Sequence, residues 1–87
     1  MATPKLNPLY KFQFEKAQDA FVLLYPEGMI TLNGSAGEIM QMVDGERDVD
    51  TIISDLIAKF PGAEGIDKDI HEFLDHAHEK KWIKYVD

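Results

Sequence analysis

Pro26-Glu27-Gly28-Met29-Ile30-Thr31-Leu32-Asn33 is the stretch that decides how this chain reads. It holds a tight turn, a short apolar strand and a helix start signal. Pro26 presets φ for the first central turn position, and Gly28 is expected to supply the φ > 0 residue that closes the turn. Ile30 and Leu32 then point to one face, Met29 and Thr31 to the other. Asn33-Gly34 breaks the strand. Ser35-Ala36-Gly37-Glu38 has the form of a capping box, so a helix is expected to start there. A strand that comes last in its sheet keeps one edge free.

Upstream of the turn, Ala20-Phe21-Val22-Leu23-Leu24-Tyr25 is continuously apolar, which suits a central strand covered at least in part on both faces. Before it, Tyr10, Phe12 and Phe14 alternate with Lys11, Gln13 and Glu15, the period of a strand with one face on the core and one in water. Glu15-Lys16-Ala17-Gln18-Asp19 reads as the polar hairpin loop. Short links favour an antiparallel meander in the order one, two, three, with the second strand central and the third at the edge. Residues 1 to 8 carry two prolines and little apolar matter, and are expected to form a loose arm.

Downstream, the period changes to about 3.6. Ala36, Ile39, Met40 and Val43 form one stripe of a short helix ended by Asp44-Gly45. Gly37 costs that helix about 1 kcal/mol relative to Ala, so packing must hold it. Asp48 is a good N-cap for a second helix carrying Val49, Ile52, Ile53, Leu56, Ile57 and Phe60, stopped by Pro61-Gly62. A third helix begins near 64–67 and carries Ile66, Ile70, Phe73, Leu74 and Ala77. It ends at Lys80-Lys81, cations well placed for a helix C-terminus. Trp82-Ile83-Lys84-Tyr85-Val86 alternates again and reads as an extended tail packed on the body. The expected class is α+β, winged-helix-like, a three-stranded antiparallel sheet followed by three helices.

Eighty-seven residues make one domain, 1–87, with a small core. There are no cysteines, hence no disulfide and no thiolate metal site. The N-terminus lacks the apolar run of a signal peptide, and no segment approaches the ~20 apolar residues of a membrane span. The expectation is a soluble, cytoplasmic protein. A net charge of −7 argues against a phosphate-binding surface and favours basic partners.

The ordered series Val22-Leu23-Leu24-Tyr25-Pro26-Glu27-Gly28, Leu32-Asn33, Ala36-x-Glu38-Ile39 and Asp44-Gly45 resembles the pyrroloquinoline quinone biosynthesis protein D (PqqD) family. Val49-x-x-Ile52-x-x-x-Leu56-x-x-x-Phe60-Pro61 and Asp69-Ile70-x-x-Phe73-Leu74 continue the pattern, so the likeness runs from about Leu9 to Ile83. Two departures stand out: Phe21 occupies a position where Trp is common, and Lys81-Trp82-Ile83 replaces a usual Gly-Leu ending. The resemblance implies a peptide-recognition domain of ribosomally made, modified peptides, without catalytic activity or cofactor. It implies binding of a precursor peptide (PqqA) and its presentation to a radical S-adenosylmethionine enzyme (PqqE), which cross-links a Glu to a Tyr. It also implies that the leader lies along the third strand, beside the third helix.

The residues suit that role. Strand addition needs an unpaired row of backbone N–H and C=O groups, and Met29, Ile30, Thr31, Leu32 and Asn33 carry none of the Lys or Pro that normally guard an edge. The competing reading covers the same edge with the 82–86 tail or the N-terminal arm. On the third helix, Ile66, Ile70, Phe73, Leu74 and Ala77 form a set wider than one packing line. Phe73 and Leu74 are expected to be substantially buried, and Ile66, Ile70 and Ala77 are the cleft candidates. Met29 is flexible and polarizable, able to adapt to varied ligand surfaces. A monomer or an edge-mediated weak dimer fits an open strand.

Other readings are weaker. A winged-helix DNA binder, or another protein-interaction module, is the alternative raised by the element order. A recognition helix wants basic residues near its start, whereas Asp67, Asp69 and Glu72 surround a lone Lys68. His71, Asp75 and His78 share a helix face at i, i+4 and i+7, a pattern that zinc can use and that exposed polar faces also show. Ser35 is better placed as part of a helix cap than as a nucleophile. Gly34 and Gly37 lack the Lys of a phosphate loop. No metal and no catalytic residue is expected.

Overall fold

The computed structural model describes residues 2–86. Five strands and three helices follow one another: β1 (Thr3–Leu6), β2 (Lys11–Glu15), β3 (Ala20–Tyr25), β4 (Gly28–Thr31), α1 (Gly34–Gln41), α2 (Val49–Lys59), α3 (Ile66–Glu79) and β5 (Ile83–Val86). The fold is α+β, with β2, β3 and β4 as an antiparallel meander in that order. The third strand of the sequence reading is therefore β4.

The expectation of a loose arm at residues 1–8 is replaced by order. Thr3–Leu6 pairs antiparallel with Ile83–Val86, with Thr3 opposite Val86 and Leu6 opposite Ile83. Pro4 is buried and Leu6 packs against the core. The Asn7 amide N–H donates to the Trp82 carbonyl (2.9 Å), and Asn7 Nδ2 donates to the Lys81 carbonyl (2.8 Å). Two prolines and few apolar residues hide this ribbon in the sequence, because a β1 with one partner strand needs little hydrophobic signal of its own.

The hydrophobic core lies between the helices and one face of the meander. Leu23 and Leu32 meet Ile39 and Met40 of α1, Ile52 and Leu56 of α2, Ile70, Leu74 and Ala77 of α3, and Ile83 of β5. Phe12 stacks on Phe21 with ring centroids 4.9 Å apart. Phe14, expected on the core face, is 47% exposed and meets Phe21 edge-on; it is the last aromatic of β2, one residue before the strand ends at Glu15. Val22, on the opposite face, is fully buried all the same, opposite Gln13 on one side and Thr31 on the other.

Two local expectations are corrected. Gly28 does not take positive φ, a conformation found only at Gly45, Gly62 and Gly65 among the described glycines. Tyr25 and Gly28 are paired across a two-residue Pro26-Glu27 loop, so Gly28 is the last turn residue, where a type I turn favours glycine without demanding it. The helix also starts earlier than the proposed Ser35 box. Asn33 is the N-cap of α1, and its Oδ1 accepts from the Ala36 N–H at 2.8 Å. Glu38, freed from capping, accepts from Lys59 Nζ of α2 at 2.6 Å.

The other caps follow the sequence. Asp48 caps α2 by accepting from the Thr51 N–H at 2.8 Å, and that backbone bond holds its carboxyl below the ordinary value near 3.8. At the end of α3 the Trp82 N–H donates to the Ala77 carbonyl (2.9 Å) and the Lys81 N–H to the His78 carbonyl (3.1 Å). This is a Schellman closure with Lys81 in the left-handed position, φ 68°.

Candidate functional site

The decisive local fact about β4 is which way its backbone groups face. Opposed residues in an antiparallel pair alternate between hydrogen-bonded and non-hydrogen-bonded pairs. The Leu32 N–H donates to the Phe21 carbonyl at 2.9 Å, so Phe21 and Leu32 form a bonded pair. Counting along the register, Leu23–Ile30 and Tyr25–Gly28 are bonded pairs too, while Leu24–Met29 and Val22–Thr31 are not. The N–H and C=O groups of Met29 and Thr31 therefore point away from β3. Strand β4 has β3 as its one neighbour among the described residues. The extended tail, which had the composition to cover this edge, is instead β5 and pairs with β1.

Side chains sort by face. Ile30 packs against the core and Leu32 is buried in it, on the helix side of the sheet. Met29 (41% exposed) and Thr31 lie on the opposite face. Gln18, from the β2–β3 loop, reaches both: Thr31 Oγ1 donates to Gln18 Oε1 at 2.7 Å, and Gln18 Nε2 approaches Met29 Sδ at 3.9 Å. Sequence reading assigned Gln18 to a polar loop and had no signal for this contact, which depends on the register. Asn33, named as an edge residue, is occupied as the α1 cap.

The five α3 residues divide. Ile70, Leu74 and Ala77 are at most 1% exposed and belong to the core, so Leu74 lies where it was expected. Ala77, a cleft candidate, is fully buried where α3 closes onto Trp82 and β5. Ile66 and Phe73 are partly buried, Phe73 against Trp82 with ring centroids 6.4 Å apart. Ile66 and Ile70 also line a cavity of about 420 Å³. Its other walls include Ser35 and Ile39 of α1, Leu56 of α2 and Phe60 just beyond it. Phe60, 39% exposed, was read as part of the core stripe of α2. Pro61-Gly62 end the helix in a tight turn in which the Ala63 N–H donates to the Phe60 carbonyl (3.2 Å), and Phe60 and Ala63 both line the cavity.

The charged groups give no support to a nucleic-acid surface. α3 opens with Asp67 and Asp69, and net charge is −7. Of the three residues read as a potential zinc face, His71 and Asp75 border a cleft with Asp50 and Tyr85, while His78 turns its ring edge-on to Tyr85 at 5.0 Å. Burial, with Asp75 nearby, raises the Tyr85 phenol above its ordinary value. No group of three metal-binding side chains converges among the described residues. Ser35 Oγ donates to Asn33 Oδ1 at 3.1 Å and so belongs to the helix start. No helix among the described residues is long and apolar enough to cross a membrane.

Comparison with known proteins adds to this geometry. The family model described as "Coenzyme PQQ synthesis protein D (PqqD)" matches residues 20–83. A "PqqA binding protein" of Pseudomonas aeruginosa is 54% identical over 83 residues, covering 95% of this chain and 90% of that protein. Among solved structures, the chain is similar to the PqqD truncation of Methylobacterium extorquens PqqCD, whose solution NMR structure is described as a functional, stand-alone recognition element for ribosomally synthesised, modified peptides. The TM-score is 0.76 at 26% identity, over 93% of this chain and 87% of that one. The fold also matches TbiB1, solved in complex with the TbiA(beta) leader peptide: TM-score 0.76 at 18% identity, over 95% of this chain and 99% of that one.

Proposed function

The chain belongs to the coenzyme PQQ synthesis protein D (PqqD) family, and we propose that it is a cytoplasmic adaptor that captures the precursor peptide (PqqA) as an added strand on β4. The observation that carries the reading is the outward row of Met29 and Thr31 backbone groups, left unpaired by a tail that folds elsewhere. A peptide strand laid there makes main-chain bonds to these two residues. Its side chains alternate between the Met29–Thr31 face and the helix side, where Ile30, Ile66 and Phe73 offer apolar surface.

The relative from Pseudomonas aeruginosa is named for binding PqqA, and the Methylobacterium extorquens domain is described as a recognition element, which supports the same role here. In this reading the protein performs no chemistry of its own and presents the bound peptide to the radical S-adenosylmethionine enzyme PqqE. Isothermal titration with precursor peptide tests it. One peptide should bind per chain with an affinity in roughly the micromolar to nanomolar range. Gel filtration should then place peptide, adaptor and enzyme in one complex. Absence of binding heat and of amide shifts would refute the proposal.

A further inference from the structure

Every second side chain of a strand added to β4 stands on the outer face of the sheet, beside Met29 and Thr31 and away from the helices. Gln18 is held over that face by the loop of residues 16–19, which joins the paired residues Glu15 and Ala20. The Gln18 N–H donates to the Glu15 carbonyl and the Asp19 N–H to the Lys16 carbonyl, both at 3.2 Å. Asp19 takes φ 51°, a left-handed position that Asp tolerates. Val22, opposite Thr31 on the same outer face, is fully buried and gives this row a dry floor. The surroundings orient the Gln18 amide. Thr31 Oγ1 donates to its Oε1 at 2.7 Å, and its Nε2 meets the Met29 sulfur at 3.9 Å. Turning the amide over would set Oε1 against a thioether, which has no hydrogen to offer. The acceptor side of Gln18 is therefore occupied. Its N–H groups have only a weak sulfur acceptor among the described residues.

On the premise of strand addition, we propose that Gln18, held by Thr31 and Met29, is a polar reading site on the outer face of β4 that takes a carboxylate or carboxamide oxygen from a side chain of the captured peptide. Backbone pairing to β4 is indifferent to sequence, since every residue except proline offers the same groups. Pairing alone therefore leaves the register of the added strand open, and a slip of one residue turns every side chain to the wrong face. An acceptor oxygen on the peptide residue beside Thr31 satisfies the free Gln18 N–H groups in one register only. An ammonium there faces them donor against donor, so the site rejects as well as selects.

The test is a coupling measurement by titration calorimetry with synthetic precursor peptide, cut to alanine one polar position at a time. Gln18→Leu removes the donor and keeps the bulk. Gln18 is exposed and has no positive φ, so the variant should fold. It should bind about two- to fivefold more weakly. One Asp, Glu, Asn or Gln of the peptide should cost about as much on the unaltered protein and nothing on Gln18→Leu. Exchanging carboxylate for carboxamide at that position should keep affinity within about fivefold, since both present the same acceptor oxygen, and its sign tells which form binds better. Gln18→Glu keeps an acceptor for Thr31 and replaces the free donors by a carboxylate oxygen. The preference should invert: the parent peptide loses about fivefold or more, and a lysine in place of its acceptor residue recovers the loss. Thr31→Val releases Gln18 without removing its amide and should cost less than Gln18→Leu. Unchanged affinity in folded Gln18→Leu and Gln18→Glu, with Thr31→Pro still weakening binding, overturns the reading site and leaves strand addition standing. Unchanged affinity in all three overturns strand addition, and the reading site with it.

Discussion

The Leu32 amide donates to the Phe21 carbonyl across 2.9 Å, and this one bond sets the phase of the whole free edge. It turns the Ile30 N–H inward to Leu23 and leaves Met29 and Thr31 facing out. Neighbouring residues on β4 therefore have opposite roles, a distinction that composition cannot reveal.

Thr31→Pro removes an outward donor while sparing the inner ladder. It should fold and lose about tenfold or more in affinity for precursor peptide, measured by titration calorimetry, since a hydrogen bond lost at an otherwise paired site costs on the order of 1–3 kcal/mol. Thr31→Val keeps the N–H and removes the hydroxyl bond to Gln18; its affinity should stay within about threefold of the parent, as for a partly solvated side-chain bond. Ile30→Pro, by contrast, breaks the bond to Leu23 and should show up as lost stability before any effect on binding.

Gly37 lies under the ring of Phe21. A Cβ at position 37 would sit 3.0 Å from Phe21 Cδ2 and 3.3 Å from its Cβ. Helix propensity alone gives Gly37→Ala a gain of about 1 kcal/mol. Forced overpacking costs about 1–3 kcal/mol, and the residue is buried. Urea unfolding should show a net loss of about 1 kcal/mol, with partial recovery when Phe21 is shortened to Leu. A stabilised Gly37→Ala would mean that the ring moves aside freely.

Lys81 holds φ at 68° in the left-handed position of the α3 closure. A side chain there costs on the order of 1 kcal/mol, and glycine avoids the cost. Lys81→Gly should raise the unfolding free energy by roughly that amount while leaving peptide affinity unchanged, because the position lies at the opposite end of α3 from Ile66. Calorimetric melting of the two proteins checks the direction.

Acid stability has two named contributors. The Asp48 carboxyl is depressed by the Thr51 N–H, and the Asp44 carboxyl chiefly by the Arg47 N–H and then that of Glu46. A depressed folded-state value means that the stabilisation is present above the unfolded value near 3.8 and fades as pH falls through the lower folded value. Asp48→Asn keeps the cap without the charge. Its melting temperature should match the parent near neutral pH and fall less between the ordinary carboxylate range and stronger acid. Asp44 retains its own share of the loss.

The meander, the three helices and most of the core were legible because each has an unmistakable period: alternation at Tyr10–Glu15, a solid apolar run at Ala20–Tyr25, and 3.6-residue stripes thereafter. The edge position of β4 followed from short connections. What stayed hidden depends on distant partners. Thr3–Leu6 reads as a loose arm until Ile83–Val86 is laid beside it. The α1 cap shifted from Ser35 to Asn33 because both are good cap residues and the strand exit decided between them. The width of the α3 stripe was visible, but its division was not: Ala77 is sealed by the Trp82 turn, while Ile66 and Ile70 open on a cavity walled by α1 and α2.

Hydrogen exchange at single-residue resolution tests strand capture most directly. In the free protein the Ile30 and Leu32 amides should exchange slowly, and those of Met29 and Thr31 should exchange fast. With saturating precursor peptide, Met29 and Thr31 should become protected and Ile30 should change little. A saturated complex in which Met29 and Thr31 still exchange at their free rates would contradict capture by an added strand on β4.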